Sequence, residues 1–340
     1  AGESHGQGLT VILEGVPAGL LLSEEDITVD LSRRQIGYGR GGRMQIEQDR
    51  AKVLSGIRHG ATIGSPISIW IENRDWVNGR GPDGVPWVES MSVSPSSVPF
   101  EPITKLRPGH ADTTGVAKYQ QTDARNILER SSARESAARV AAGAVARQFL
   151  RLFDIEIYSH VVSLGGVDAV PTHPLDWDVL EQHPYHDENP EGSKMAAVRC
   201  LDADAAERMI KAISQAREAG DSLGGVVEIE VVGLPIGLGS HIQWDRKLTT
   251  KLAAAVMSMN AVKGVEFGMG FAQARLPGSA VHDVIRPAAE WRGNPYGESG
   301  RPWPRRTNNA GGLEGGMTTG EPLVIRATVK PIATLKRPLP

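Results

Sequence analysis

Residues 130–147 read RSSARESAARVAAGAVAR and combine small side chains with regularly spaced arginines. The alanine-rich composition predicts that this stretch belongs to one long helix. Small side chains let other backbones approach closely, so the arginines among them are expected to be partly buried. A buried guanidinium without an anion is costly. We therefore expect either a structural salt-bridge network with Glu129 and Glu135 or a bound phosphate or carboxylate.

Two histidines lie beside short glycine-containing motifs. His110 belongs to RPGHAD at residues 107–112, just before the arginine-rich helix, and His5 belongs to GESHG at residues 2–6. An imidazole titrates near neutral pH and can donate or accept a proton there. For His5, the local sequence leaves a solvated or capping role open beside a catalytic one.

A second cationic stretch, RRQIGYGRGGRMQI, covers residues 33–46 and contains four arginines, four glycines and no acidic residue. Its glycines formally match G-x-G-x-x-G, but no buried strand precedes them and no acidic residue follows at the expected spacing, which argues against a dinucleotide-binding fold. The stretch predicts a flexible backbone that closes over an anion with Arg34, Arg40 and Arg43. A solvated basic loop is the alternative.

Composition narrows the class of protein. The chain has 340 residues, of which 40% are hydrophobic, enough for a core in one domain over residues 1–340 or in two joined halves. A formal charge of -3 gives no overall attraction for nucleic acid. The single cysteine, Cys200, excludes an internal disulfide and fits a cytoplasmic location. No metal site, signal peptide or membrane span is predicted.

The order of apolar segments predicts an α+β fold with antiparallel sheets. Each half of the chain offers a small-residue helix followed by an apolar strand, which suggests an internal pseudo-repeat. The helices are predicted at 204–219 and 245–259, in addition to the central one. The strands are predicted at 9–14, 66–73, 155–162, 226–232 and 323–329.

Two further stretches carry turn signals. Residues 76–102 are rich in Gly, Pro and Ser and are predicted to form a long surface excursion, acting as a lid or an assembly arm. Residues 307–320 contain five glycines, which predicts a close approach of the backbone to another group. A hairpin-rich structural loop is the alternative for the second stretch.

Six motifs in this order resemble the chorismate synthase family, over almost the whole chain from Gly2 to Thr334. They are GESHG at 2–6, RRQIGYGRGGRM at 33–44, RPGHAD at 107–112, RSSARESAARVAAG at 130–143, MNAVKGVEFG at 259–268 and TNNAGGLEGG at 307–316.

The resemblance implies long helices sandwiched between antiparallel sheets, a homotetramer and the bacterial, monofunctional type of enzyme. It also implies a carbon–oxygen lyase acting on phosphates. The reaction is the last step of the shikimate pathway, an anti-1,4-elimination that converts 5-enolpyruvylshikimate 3-phosphate to chorismate and phosphate. It requires reduced FMN but consumes no net reducing equivalents.

The resemblance also assigns residues. His5 would protonate the departing phosphate, and His110 would stabilise or protonate the reduced flavin. The arginines that would hold anionic groups of the substrate are Arg34, Arg40, Arg43, Arg107 and Arg134. The residues that would line the flavin are Arg130, Ser131, Ser132, Asn260, Ala261, Gly315, Lys330, Pro331, Ile332, Ala333 and Thr334.

Partners follow from the same resemblance. A flavin reductase is expected to supply reduced FMN, with NADPH as an indirect reductant whose phosphates Arg34 and Arg40 could meet. Family members usually continue past the segment that ends at Thr334 into one that reaches the flavin ring, whereas this sequence stops at Pro340. The flavin side of the site is therefore expected to be incomplete in this sequence.

Three other functions are consistent with parts of the sequence. A flavoprotein oxidoreductase would use the same arginines for FMN and a nicotinamide, and would consume NADPH in proportion to product. A polyanion or RNA binder would use the Arg-Gly stretch, but Tyr38 is the one aromatic residue there. A pure assembly protein would not need His5 and His110 together with two glycine-rich anion loops.

Overall fold

The computed structural model describes residues 1–41, 46–96, 98–170, 175–181, 194–286 and 303–337. The chain forms two compact units, residues 1–149 (unit 1) and residues 150–340 (unit 2). The single domain expected over residues 1–340 stays a prediction. Within the described ranges, no helix combines the length and the apolar character that crossing a membrane requires.

Unit 1 is built on a three-stranded antiparallel sheet. Its described elements, in chain order, are β1 (Gly8–Leu13), α1 (Glu24–Gln35), β2 (Ala51–Ser55), β3 (Ile57–Arg58), β4 (Ala61–Thr62), β5 (Ile67–Glu72), α2 (Asp75–Asn78), α3 (Trp87–Ser90), α4 (Asp112–Tyr119), α5 (Arg125–Ser131) and α6 (Ser136–Arg151). The strand order is β1-β5-β2, and β3 and β4 form a separate antiparallel pair.

The core of unit 1 joins one face of this sheet to α6 and α1. Alternate residues of β5 are fully buried, which is the period-2 pattern of a strand with one face inward. On α6 the buried positions recur at helical spacing, so one stripe faces the core. The buried residues include Ile67, Ile69 and Ile71 from β5, Ala137, Ala141, Ala144 and Val145 from α6, and Ile27 and Leu31 from α1. The close packing predicted from the alanines is therefore confirmed.

The prediction of a single long helix around residues 130–147 is wrong in one respect, because the helix is interrupted. Helix α5 ends at Ser131, and Ser132 has extended backbone angles, φ -63° and ψ 146°. The Ser132 hydroxyl accepts a hydrogen bond from the Arg134 backbone N–H at 3.2 Å and caps a short 3-10 turn before α6 begins. Serine favours this role because its hydroxyl competes with helical backbone hydrogen bonds.

Unit 2 contains a five-stranded antiparallel sheet in the order β7-β6-β8-β12-β9. Its described elements, in chain order, are β6 (Glu156–Leu164), β7 (Val167–Asp168), α7 (Asp178–Glu181), α8 (Lys194–Val198), α9 (Ala203–Ala219), β8 (Gly225–Val232), α10 (Leu248–Met257), β9 (Val262–Phe267), α11 (Gly278–Val281), β10 (Leu313–Glu314), β11 (Met317–Thr318) and β12 (Leu323–Val329).

These elements confirm the predicted α+β class with antiparallel sheets and all five predicted strands. Helix α9 begins after Asp202, whose side chain accepts from the Ala205 N–H, and ends at Gly220 in the left-handed region. The second alanine-rich helix is shorter than the predicted 245–259, because Lys247 is extended and a 3-10 turn precedes it. The sandwich arrangement and the pseudo-repeat stay predictions.

The two faces of the five-stranded sheet differ in polarity. One face packs against α10 in an apolar cluster that includes Val231, Val256 and Ile325. The opposite face carries Glu228, which is 6% exposed. Glu228 accepts hydrogen bonds from Arg326 Nε at 2.7 Å and from His160 Nε2 at 3.1 Å.

Two neighbouring carboxyls on this face titrate in opposite directions. Burial by itself raises the pKa of Glu228, but the hydrogen bonds and charges of His160 and Arg326 hold it below the ordinary value. The pKa of Glu230 is raised by burial and by the negative charge of Glu228. At neutral pH, ionised Glu228 therefore stabilises the fold, whereas ionisation of Glu230 destabilises it.

We expect Glu228→Gln to lower the free energy of unfolding by about 1–3 kcal/mol at pH 7, because it removes the charged partner of a buried network. Glu230→Gln should raise the same free energy by up to about 1 kcal/mol, since it removes a poorly solvated charge. Urea denaturation at several pH values measures both. The Glu228 contribution should be present above about pH 4.3 and lost as the pH falls through its folded-state pKa. Equal shifts of both variants in one direction would contradict this assignment.

The glycine-rich stretch near residue 311 makes the close backbone approach that the sequence predicts. Gly311 has φ +65°, and a Cβ there would lie 2.2 Å from the Gly268 backbone nitrogen. Gly268 has φ +56°, and its own Cβ would lie 2.1 Å from the Asn309 carbonyl oxygen. Two backbones therefore meet where neither residue can carry a side chain.

Gly311→Ala should destabilise unit 2 by roughly 3 kcal/mol or more, because both the backbone angle and the contact with Gly268 forbid a Cβ. Gly237→Ala is the matched control. Its φ is +92° but no atom lies within 4 Å of the added Cβ, so strain alone should cost about 1 kcal/mol. Thermal unfolding of both variants tests the difference, and equal losses would refute the role of the backbone contact.

Candidate functional site

The N-terminal loop before β1 holds His5 against a buried carboxylate. Glu129 on α5 is 2% exposed. It accepts the His5 backbone N–H at 2.8 Å and lies 2.9 Å from His5 Nδ1. The Ser4 N–H donates to the Glu129 carbonyl at 3.1 Å. A carboxylate at Nδ1 places a proton on that nitrogen, so Nε2 is the position where the ring gains or loses a proton.

The His5 ring also stacks on Trp87 of α3, with ring centroids 4.1 Å apart and planes 20° from parallel. Trp87 is 5% exposed, and its Nε1–H donates to Asp75 Oδ2 at 3.0 Å. The prediction that residues 76–102 form a long surface excursion is wrong for the part around Trp87. This part includes α3, where Trp87 is buried because its ring stacks on the His5 imidazole and its Nε1–H has a hydrogen-bond acceptor in Asp75.

His110 has a similar carboxylate partner within its own motif. Its Nδ1 is hydrogen-bonded to Asp112 Oδ1. Asp112 also accepts Arg107 Nε–H at 2.9 Å and the Arg107 backbone N–H at 3.2 Å. Burial by itself would raise the pKa of Asp112, but the hydrogen bonds from Arg107 and His110 hold it below the ordinary value. Asp112 is therefore an anion at neutral pH and keeps the His110 ring in one orientation.

Helices α4 and α5 carry these two carboxylates and pack against each other. Asp112 is the first residue of α4, and Glu129 lies near the end of α5. Gly115 of α4 faces Ile127 of α5, and a Cβ at position 115 would lie 2.4 Å from an Ile127 side-chain carbon. The absence of a side chain at Gly115 thus brings the two helices together, and with them the supports of both histidines.

Two of the predicted substrate arginines meet at one buried carboxylate. Asp49, whose side chain is fully buried, binds Arg34 Nη1 at 3.0 Å and Arg134 Nη1 at 2.5 Å. Arg134 also donates to Asn73 Oδ1 at 2.9 Å. Asn73 in turn donates from Nδ2 to the carbonyls of Gly6, at 2.7 Å, and Glu3, at 3.2 Å. The arginines and the His5 loop therefore belong to one hydrogen-bonded network.

The other predicted arginines are placed differently. Arg107 contacts both Asp112 and His110, with Nη2 at 3.2 Å from His110 Nδ1. Arg40 is exposed and donates from Nε to the Ile36 carbonyl at 3.0 Å. Arg43 lies outside the described residues.

The predicted flavin residues of unit 1 lie at the break between α5 and α6. Arg130 donates to the Gly2 carbonyl at 3.2 Å and lies 3.6 Å from Glu135. The Ser131 hydroxyl donates to the Ile127 carbonyl at 2.7 Å, and Ser132 caps the following turn. This group therefore adjoins the N-terminal loop through Arg130.

In unit 2 the structure joins two predicted flavin segments that are far apart in sequence. The Lys330 N–H donates to the Ala261 carbonyl at 2.9 Å, directly after β12. Ala261 has φ +69°, which is rare for a residue with a side chain and often occurs at functional sites. Residue Ile332 is 69% exposed, and Ser222 donates to its carbonyl at 2.7 Å. Asn260 and residues 331–334 thus lie close to this junction.

Gly315 lies in the tight connection between β10 and β11, with φ +59°. A Cβ there would meet only His241 Cβ at 3.9 Å and Met317 Cε at 4.0 Å. The surface over Gly315 is therefore open enough for a flat ring to approach the backbone. Gly315 and Ile332 are both exposed.

Sequence reasoning missed three residues that build this site: Asp49, Asn73 and Trp87. It offered Glu129 and Glu135 as possible salt-bridge partners of the arginines. Glu135 pairs with Arg139 at 2.8 Å, whereas the carboxylate of Glu129 binds His5. Asn73 is the last residue of a predicted strand and Glu129 directly precedes the arginine-rich stretch, so the sequence offered a reason to consider both residues. The side-chain hydrogen-bond partners of Asn73 and Glu129 lie 61 or more residues away, and no local pattern identifies them.

Comparison with known proteins identifies the family. The family model described as chorismate synthase matches residues 1–340. The chain is 51% identical over 343 residues to the chorismate synthase of Geobacillus sp. (strain WCH70), covering 100% of this chain and 81% of that protein. It is 52% identical over 340 residues to that of Syntrophotalea carbinolica, covering 100% of this chain and 80% of that protein.

A crystal structure of a chorismate synthase superimposes on this chain with a TM-score of 0.72 at 42% identity, covering 98% of this chain and 83% of that one. The sequence match and the structural match both extend over essentially the full chain. The chain therefore belongs to the chorismate synthase family.

Proposed function

We propose that this protein is a carbon–oxygen lyase of the shikimate pathway, which converts 5-enolpyruvylshikimate 3-phosphate to chorismate and phosphate by anti-1,4-elimination. One observation carries the proposal beyond family membership. Unit 1 holds two imidazoles, His5 and His110, each hydrogen-bonded through Nδ1 to a buried carboxylate, in a setting rich in arginine. Such an arrangement suits proton transfer at an anionic substrate.

His5 is proposed as the general acid for the leaving phosphate. As the allylic C–O bond breaks, the protonated imidazole donates from Nε2 to a phosphate oxygen. Glu129 stabilises the imidazolium and holds its orientation through Nδ1. Stacking on Trp87 restricts rotation of the ring. The C–O bond to phosphate and the C–H bond at C6 are lost and one C=C bond is gained. The C6 hydrogen leaves as a proton, which balances the proton that His5 donates to the phosphate, so the overall reaction involves no net oxidation or reduction.

His110 is proposed as a proton donor on the cofactor side of the site. Ionised Asp112 holds its Nδ1, and Arg107 lies against the same pair. Bound reduced FMN supplies an electron-rich ring that assists C–O cleavage without net oxidation. The residues proposed from the family resemblance to line FMN are Arg130, Ser131, Ser132, Asn260, Ala261, Gly315, Lys330, Pro331, Ile332, Ala333 and Thr334.

The arginines are proposed to bind the anionic groups of the substrate. These are Arg34, Arg40, Arg43, Arg107 and Arg134, and Arg34 and Arg40 are also the candidates for NADPH phosphates. Arg134 has a second task, because its contacts with Asp49 and Asn73 position the His5 loop. A cytoplasmic location, a homotetramer and a separate flavin reductase are further parts of the proposal.

The central test mixes the protein anaerobically with 5-enolpyruvylshikimate 3-phosphate and chemically reduced FMN and follows chorismate and phosphate together. We expect equal amounts of both products with no net flavin oxidation. His5→Ala and His110→Ala should each lower kcat by about 10²–10⁴-fold, the usual contribution of a general acid. FMN binding should be retained in the His5 variant.

A matched control uses His59→Ala, since His59 lies in the turn between β3 and β4 and has no proposed role. Its activity should equal that of the unmodified chain. Product formation that consumes NADPH mole for mole would favour the oxidoreductase alternative. Absence of chorismate with this chain and with a chain extended past Pro340 would refute the lyase proposal.

Glu129→Gln tests whether the carboxylate acts through His5. We expect kcat to fall roughly 10- to 100-fold, in the range found for groups that orient a functional histidine, while KM changes little because Glu129 is buried behind the ring. The control is Glu135→Gln, which removes a carboxylate from the same segment but leaves His5 unchanged. If Glu129→Gln retains full kcat, the orienting role is wrong.

A further inference from the structure

We propose that Arg125 is an additional anion-binding residue of unit 1, whose ligand is a phosphate or carboxylate group that the chain itself does not provide. The inference rests on the proposed function only for the identity of that ligand, which would be an anionic group of the substrate or the released phosphate. Arg125 begins α5, and no motif in the sequence singles it out.

Arg125 is almost completely buried, with 4% of its surface exposed. Its Nε is fully buried and has no hydrogen-bond partner. Across the part of the chain that the structure describes, no carboxylate forms an ion pair with it. Among the same described residues, the side chain contacts the Trp87 ring, with the guanidinium carbon 5.3 Å from the ring centroid.

The neighbouring arginines show how this protein usually compensates a buried cation. Arg134 is 5% exposed, close to the value for Arg125, yet it binds Asp49, Asn73 and the Glu72 carbonyl. Arg34 shares Asp49. Burial alone therefore does not explain a guanidinium without an anion, because the same unit supplies carboxylates where a cation is buried.

The contact with Trp87 does not replace an anion. A cation–π contact offsets part of the cost of removing a guanidinium from water, but a paired and hydrogen-bonded anion is what ordinarily offsets the remainder. An arginine that only had to pack on Trp87 would be replaceable by an apolar side chain of similar length. A buried guanidinium at position 125 therefore indicates that a ligand supplies the missing anionic partner.

The position of Arg125 connects such a ligand to the proposed chemistry. The Trp87 ring contacts both the Arg125 guanidinium and the His5 imidazole. Glu129, one turn further along the same helix, holds His5 Nδ1. An anion at Arg125 therefore lies next to the aromatic ring that orients the proposed general acid, and the planar guanidinium fork suits either a phosphate or a carboxylate.

The test measures anion binding separately from turnover. Arg125→Met and Arg125→Lys are made in the full chain, and inorganic phosphate and malonate are titrated by calorimetry at constant ionic strength. The matched control is Arg139→Met, which removes a positive charge from an exposed position paired with Glu135. We expect the unmodified chain and the control to bind one of the two probes with equal affinity.

Arg125→Met should weaken that binding at least tenfold, and Arg125→Lys should do so to a smaller extent because a lysine keeps the charge but lacks the fork. The probe that loses affinity identifies the class, phosphate or carboxylate. KM for the substrate should rise at least tenfold in Arg125→Met. If that variant does not fold, the Lys variant decides, since it keeps the cation over Trp87.

Two results would overturn the proposal: no binding of either probe to the unmodified chain, or equal affinity in the Arg125 and Arg139 variants. The latter result would make Arg125 a packing partner of Trp87 alone. Loss of probe binding in Arg125→Met together with an inactive unmodified chain would support the anion site and refute the lyase function. Full turnover by the unmodified chain, with the same probe affinity in Arg125→Met as in the unmodified chain, would support the lyase function and refute the anion site.

Discussion

The buried carboxylate of Asp49 is the interaction on which unit 1 depends. Two guanidinium groups, those of Arg34 and Arg134, bind it from different elements, and its side chain has no exposed surface. Losing one member of such a group leaves a buried charge uncompensated, at a cost of about 3–5 kcal/mol. Because Arg134 also holds Asn73, this ion pair determines where the N-terminal loop lies. The position of His5 therefore depends on this network as well as on its direct contacts with Glu129 and Trp87.

His5 and His110 are each oriented by a buried carboxylate, but the carboxylates come from different distances along the chain. His110 obtains its carboxylate from two residues along the chain, and His5 obtains one from 124 residues away. In both cases a buried carboxylate fixes the ring nitrogen that carries a proton, and the other nitrogen is the one proposed for proton transfer. The low polarity around these carboxylates makes their hydrogen bonds strong, and it also makes them costly to lose. Orientation of the rings is therefore coupled to the stability of α4 and α5.

In unit 2 the core residues and the residues proposed for the flavin lie on different parts of the five-stranded sheet. One face of its five-stranded sheet forms the apolar cluster, while the ends of the strands and the connections between them carry the residues proposed for the flavin. Glycines allow this arrangement, since the Gly268 and Gly311 backbones meet without side chains and Gly315 leaves its surface open. The sheet provides rigidity, and the proposed flavin residues lie in the loops at its edges, where binding residues commonly occur.

The sequence by itself determined the fold class, the five main strands, the amphipathic helix α9 and the close packing of the alanine-rich segment, because each depends on periodicity or composition within a short window. It also identified both histidines and the arginine-rich stretches through motifs. Only the tertiary structure decided the partners of those residues. Glu129 binds His5, Asp49 joins Arg34 to Arg134, and Trp87 is buried. Arg125 is buried with no carboxylate partner among the residues that the structure describes. Such pairings join residues that are distant in sequence, and they depend on which side chains remain close once the elements have packed.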